Sequence, residues 1–172
     1  MFFLSIHPFR NNFIEITENK SVNLNGGKKM KTVSEIMTKD IKVCTPHDSV
    51  TAAAKIMRDI ECGSVPVCEG KEVVGIITDR DIVITCVAEG KDSNSVHCHD
   101  CMSTDVVTCT ADTDIHECAR MMAQHQIRRI PVVENGEIVG IIAIGDLARE
   151  NIYVNEAGDA LSDISEHSRY DH

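Results

Sequence analysis

Val73-Val74-Gly75-Ile76-Ile77-Thr78-Asp79-Arg80-Asp81 is answered, 65 positions later, by Ile138-Val139-Gly140-Ile141-Ile142-Ala143-Ile144-Gly145-Asp146. Outward from this pair the same offset matches residues 32–82 to residues 97–147 without a gap. It joins Met37 to Met102, Cys44 to Cys109, Met57 to Met122 and Pro66 to Pro131. An ungapped match of this length is one supersecondary unit present twice. Each copy alone is too short to bury an ample core, so the two are expected to pack together.

Within each copy the apolar residues follow one order. Val50, Ala53, Ala54 and Met57 stand at i, i+3, i+4 and i+7, and Ile115, Cys118, Ala119 and Met122 repeat the spacing. Both stretches are therefore predicted helices, with Asp48 and Thr113 suited to their N-caps. Ser64 to Cys68 and Arg129 to Val133 read as short strands whose proline belongs at an edge or strand start. Asn135-Gly136 is a hairpin signal, and Glu69-Gly70-Lys71 takes its place in copy one. The returning strand is apolar enough to be buried on both faces. A helix then starts at Asp79, with Val83, Cys86 and Val87 spaced for burial, while Lys42 to Cys44 and Val107 to Cys109 read as leading strands. The predicted class is α+β, with two tandem β-α-β-β-α units packed about a pseudo-twofold axis.

The division that follows is an extension over 1–29, a first unit over 30–90, a second over 91–150 and a tail over 151–172. In the tail, Ala157, Ala160, Leu161 and Ile164 share one face of a predicted amphipathic helix, and Tyr170-Asp171-His172 reads as loose. The extension has no counterpart in the repeat and ends in Asn25-Gly26-Gly27-Lys28-Lys29-Met30. Met30 is a second reading for the start of translation, because Gly-Gly can be encoded by a purine-rich ribosome-binding sequence.

Charge narrows the function. The chain carries a formal net charge of −10, and its first 29 residues hold four bases (Arg10, Lys20, Lys28, Lys29) against two acids (Glu15, Glu18), so the body is more acidic still. Such a body repels polyanions, and with 3% aromatic residues and no Trp it has few stacking platforms, which argues against nucleic acid as a partner. No stretch approaches the roughly 18 apolar residues of a membrane span, and the opening Met1 to Ile6 lacks the basic start of a signal peptide. The expectation is a cytoplasmic protein whose eight cysteines default to thiols, metal ligands or redox sensors.

The order of elements, the duplication, and the pairing of Val65-Pro66-Val67 or Ile130-Pro131-Val132 with Gly75-Ile76-Ile77-Thr78-Asp79-Arg80-Asp81 resemble the cystathionine-β-synthase (CBS) domain. Two in tandem look like a Bateman module. Gly63 to Cys68, Thr78 to Val83 and His125 to Val132 are similar to stand-alone CBS pairs of the mycobacterial hypoxic-response type. The resemblance implies a non-catalytic regulatory module, commonly a homodimer, whose clefts hold an adenosine-containing ligand: AMP, ADP, ATP or S-adenosylmethionine. An effector protein in trans is the implied partner, and no metal is required.

Thr78-x-x-Asp81 opens a helix after a strand, where backbone N–H groups favour an anion. The resemblance turns the Thr78 hydroxyl toward phosphate and the Asp81 carboxylate toward ribose, with Asp79 and Arg80 beside them. The same spacing is also a capping box that needs no ligand. Val43, Val65 and Pro66 would form the apolar wall of the first cleft, and Ile130 and Pro131 that of the second. Arg128 and Arg129 lie on extended chain, where one of the two reaches a cleft phosphate. Copy two keeps Asp146 but has Ala143 and Gly145 where copy one has Thr78 and Arg80, so the first cleft is expected to be the better equipped.

A rival reading is a metal-binding or thiol-redox-responsive stress protein with vestigial clefts. His97, Cys98, His99 and Cys101 could ligate zinc, with Cys62, Cys68, His116 and His125 as the reservoir for a second ligand pair. The repeat aligns Cys98 with Val33 and Cys101 with Ile36, which predicts core thiols instead. Cys44 and Cys68 end neighbouring strands of one unit and form a candidate redox pair. Phosphate-cradling, nucleophile-elbow and zinc-protease motifs are absent from the sequence, which argues against an enzyme.

Overall fold

Helix α1 (Val50–Asp59) starts where Ser49 accepts a hydrogen bond from the Ala52 N–H at 3.3 Å, and its apolar face buries Val50, Ala53 and Met57. The expected cap, Asp48, lies one residue too early and instead accepts from the Thr45 N–H at 2.7 Å, which fixes the approach to the helix. Gly70, at φ 63°, then turns β1 (Ser64–Glu69) back into β2 (Glu72–Thr78). The helix after β2 keeps α-geometry only over α2 (Asp79–Ile82) and widens to a π-helix over Val83–Val87.

Copy two repeats the plan. Helix α3 (Ile115–His125) is capped by Asp114, which accepts from the His116 N–H at 2.8 Å, and Thr113, the expected cap, accepts from Thr110 N–H at 3.0 Å. Asn135 and Gly136, both at positive φ, join β3 (Arg129–Glu134) to β4 (Glu137–Ala143). This is the backbone that a two-residue turn between twisted strands requires. Helix α4 (Ile144–Arg149) follows, and α5 (Val154–Glu166) lies on α3 and α4. The computed structural model describes residues 31–150 and 154–166. The extension over 1–29, the start at Met30 and the loose Tyr170-Asp171-His172 lie outside the described residues.

Three expectations change. The leading strands shrink to single parallel bridges, Cys44 with Val67 and Cys109 with Val132, so each unit has a two-stranded sheet with one residue of a third strand beside it. Val83 and Val87 are 53% and 73% exposed, leaving Cys86 as the buried residue of the π-helix, because the wider turn breaks the 3.6-residue spacing. In α5, Ala157 and Ala160 are buried, while Leu161 faces out.

The units are held together by an exchange of their leading segments. Val33, from the first unit's 3₁₀ turn, is buried in the core of unit two beside Cys109, Cys118, Ile130 and Ile142. Cys98, its counterpart, is buried in the core of unit one beside Cys44, Val50, Val65 and Ile77. Backbone bridges follow the same exchange: Thr38 pairs with Ile141 and Ser103 with Ile76. Every one of these contacts has its partner 65 residues away, which is a pseudo-twofold relation in space. A third cluster, Cys68, Val73 and Val106 with Val43, Ile76, Val133 and Ile138, fills the space between the hairpins.

Candidate functional site

Where the leading segment of unit one crosses onto unit two it borders a cleft of about 480 Å³. That is ample for a small molecule, whose sites span roughly 300 to 1,000 Å³. Thr38, Asp40, Ile41 and Lys42 come from the crossing segment, and Ile60, Glu61, Cys62, Ser64 and Pro66 from the α1 to β1 stretch. Unit two contributes Arg128, Arg129, Ile141, Ala143 to Asp146, and Arg149. Isoleucines from three segments give the cleft apolar surface, and Lys42 and three arginines outnumber Asp40, Glu61 and Asp146.

Asp146 is 8% exposed. One carboxylate oxygen accepts from the Ala143 N–H at 2.8 Å, and the other accepts from the Arg149 guanidinium. Arg128 is exposed and Arg129 half-buried, and neither pairs with another described residue. The Arg128 carbonyl accepts from the Ile144 N–H at 3.0 Å, tying the arginine pair to the start of α4. The cleft can thus offer an anchored carboxylate to hydroxyl groups and guanidinium donors to an anion.

Of the residues expected to bind a ligand, this cleft gathers Pro66, Arg128 and Asp146. Thr78, Asp79, Arg80 and Asp81 are not among those lining it. The Thr78 hydroxyl donates to Asp81 at 2.7 Å and accepts from the Asp81 N–H at 3.1 Å, and Asp81 also accepts from the Thr78 N–H at 2.9 Å, which is the capping box in full. Val65 and Ile130 are wholly buried in the two cores and Pro131 is buried, and none of the three lines this cleft. Val43 packs between the hairpins. Sequence reasoning missed Thr38, Ile41, Lys42, Ser64 and Arg149. Their signal was the exchange itself, which brings distant segments to one place.

The metal candidates are split between two environments. Cys98 is wholly buried in the core of unit one, its Sγ 3.7 Å from that of Cys44, and the half-buried Cys101 thiol donates to the carbonyls of His97 and Cys98. The imidazoles of His97 and His99 stack at the surface with ring centroids 5.6 Å apart, and His99 Nε2 lies 3.1 Å from Asp100. The backbone N–H of His97 and then the charges of the His99 and His97 imidazoles set the Asp100 carboxyl below its usual range, against the opposing effect of desolvation. Among the described residues no group of three or more His, Cys, Asp or Glu side chains is placed to hold a metal ion, so the set read from the sequence does not fit zinc. Cys44 and Cys68 are both free, and the thiol that Cys44 meets is Cys98. Contact with Cys98 and burial push the Cys44 thiol well above its ordinary range. No helix of the described residues is long and apolar enough to cross a membrane.

Comparison with known proteins agrees with this architecture. The CBS domain model matches residues 33–87 and 98–153. The chain is 41% identical over 139 residues to the uncharacterized protein YlbB of Bacillus subtilis, covering 80% of this chain and 93% of the relative. It is 35% identical to hypoxic response protein 1 of Mycobacterium tuberculosis over 70% of this chain and 85% of the relative. The crystal structure of Hypoxic Response Protein I with two coordinated zinc ions superposes with a TM-score of 0.62, at 35% identity, over 70% of this chain and 98% of that one. The hexameric CBS-CP12 protein from bloom-forming cyanobacteria superposes with a TM-score of 0.66, at 26% identity, over 74% of this chain and 71% of that one. The repeat, the exchanged segments and these likenesses together establish that the chain belongs to the CBS domain family, with two CBS domains in tandem.

Proposed function

We propose that the protein is a non-catalytic sensor that binds an adenosine-containing ligand, such as AMP, ADP, ATP or S-adenosylmethionine, in the cleft beside Asp146. The carrying observation is a buried, anchored carboxylate in the same cleft as several isoleucines and two arginines that pair with no other described residue. Asp146 would accept hydrogen bonds from the ribose hydroxyls, Ile41, Ile60, Ile141 and Ile144 would border the base, and Arg128 and Arg129 would meet phosphate. This places the working site in unit two. The first-unit residues Thr78 and Asp81 are assigned to capping α2, because the Thr78 hydroxyl and one Asp81 carboxylate oxygen are engaged with each other and with the helix-start N–H groups, and neither residue lines this cleft. Ligand binding to the folded state raises the melting temperature by mass action. Thermal melting with the four ligands at millimolar concentration tests the reading, and no shift with any of them rejects it.

A sensor without its own reaction acts by changing what it touches. We infer self-association through the π-helix, where Val83, Ile84 and Val87 are 53%, 49% and 73% exposed in a row. The equivalent side of unit two is covered by α5, which lies on α3 and α4. A second copy of the chain is the occupant proposed for the uncovered side, and an effector protein in trans reads the ligand state. The rival metal or redox reading has in its favour the surface imidazoles His47, His97 and His99 and the two zinc ions of the similar Hypoxic Response Protein I, and against it the enclosure of Cys98 in the core.

A further inference from the structure

A carboxylate as closely buried as that of Asp146, 8% exposed, is costly to keep charged without partners. The Ala143 N–H donates to one of its oxygens at 2.8 Å, and the Arg149 guanidinium donates to the other. The repeat shows why an arginine stands there. In copy one Asp81 accepts from the Thr78 hydroxyl at 2.7 Å, and copy two has Ala143 at that position. The offset of 65 sets Arg149 opposite Ile84, so copy two loses a hydroxyl and gains a guanidinium one helical turn beyond the carboxylate. The two partners are unequal in burial: the Asp146 side chain is 9% exposed and that of Arg149 78%. Both line the cleft. The Ala143 N–H holds the carboxylate from the helix start, while the guanidinium approaches from the open side, the side from which a ligand must come.

We propose that Arg149 is a latch: in the empty cleft its guanidinium occupies the oxygen of Asp146 that the ribose hydroxyls take, and binding displaces it. The inference rests on the reading of this cleft as an adenosine-ligand site and adds the residue that competes with the ligand. Neither state leaves a charge stranded. The hydroxyls donate to the oxygen that the guanidinium leaves, and the freed guanidinium, on a side chain already mostly in solvent, is hydrated. Arg149 thus lowers the affinity for any ribose-bearing ligand, whereas Arg128 and Arg129 are assigned to phosphate.

The test titrates the full chain calorimetrically with adenosine, which carries the ribose and no charge. Sodium chloride is varied from about 0.05 to 0.5 M, a range over which exposed ion pairs are progressively screened. Wild-type affinity should rise with salt, because screening weakens the Asp146–Arg149 pair and leaves a neutral ligand untouched. Arg149→Gln should bind adenosine about two- to fivefold tighter than wild type at the lowest salt, the range expected for removing an exposed ion pair. Its affinity should not vary with salt, and Arg149→Lys, which keeps the charge, should fall between the two. Equal or weaker binding by Arg149→Gln overturns the latch; weaker binding would put the guanidinium on the ligand. Wild-type affinity that stays flat or falls with salt also overturns it, and that series needs no variant to fold. So does failure of Arg149→Gln to bind adenosine when the wild type binds AMP. Failure of the wild type to bind adenosine, AMP, ADP or ATP rejects the cleft reading and this inference with it.

Discussion

The sulfur of Met102 lies 2.5 Å from where a β-carbon on Gly75 would stand, and the sulfur of Met37 lies 2.6 Å from the same point on Gly140. Each methionine belongs to one unit and each glycine to the other. The absence of a side chain on the middle residue of β2 or β4 is what lets the opposite leading segment seat against it. Beside these contacts, Ile76 bonds Ser103 and Ile141 bonds Thr38 through paired backbone hydrogen bonds of 2.9 to 3.0 Å.

Gly75→Ala should therefore destabilise the protein by about 1–3 kcal/mol, the usual effect of overpacking. Gly140→Ala should behave alike. Adding Met102→Ala to Gly75→Ala should recover part of the loss, because the clash is with the flexible end of that side chain. Urea midpoints of the single and double variants measure this; strict additivity of the two changes would deny the contact.

Asp146→Asn keeps an acceptor for the Ala143 N–H but removes the charge that meets Arg149. The melting-temperature shift produced by adenine nucleotides should vanish in this variant. Thr78→Ala should lower the unliganded melting temperature, at a cost of about 0.5–2 kcal/mol for a lost cap, and leave the shift in place. The reverse pattern would return the site to unit one.

Burial pushes the Cys68 thiol up to about 11, and burial followed by neighbouring groups pushes the Cys101 thiol up to about 11. The ordinary thiol value is 9.0. Between these values an unfolded chain releases protons that the folded chain retains, so stability that is full below pH 9 falls as pH rises toward 11. Urea midpoints at pH 8, 9, 10 and 11 should decline, and Cys68→Ala should decline less steeply than wild type. Parallel curves would mean that Cys68 ionises as freely in the fold as outside it.

Ile84→Asp with Val87→Asp should shift the protein to a lighter species in sedimentation velocity, with about half the mass if the assembly is a twofold dimer. Both side chains point into solvent within one protomer, so circular dichroism and the melting temperature should change little. An unchanged sedimentation coefficient would place the self-contact elsewhere.

Much of the fold is legible in the residues because local chemistry decides it. Asn135-Gly136 allows positive φ at two successive positions, and the apolar spacing of Val50, Ala53 and Met57 admits only a helix with one buried face. The caps fall one residue later than expected, since Ser49 and Asp48 are both able to accept and only the backbone path selects between them. The π-helix at Val83–Val87 was not legible, because its period depends on a widened turn rather than on residue type.

The sequence by itself determined the family, the duplication and the burial of Cys98, because the 65-residue offset sets Cys98 opposite Val33 and both occupy core positions. It also pointed to Thr78 as the mark of the better site. Tertiary structure adds what spacing could not: Thr78 and Asp81 cap a helix through one carboxylate oxygen, while Asp146 looks onto a cleft whose other residues come from three distant segments. Spacing along a chain reports which atoms are local neighbours. Which of them remain free to meet a ligand depends on the exchange of Val33 and Cys98 between the units, and that is a property of the packed pair.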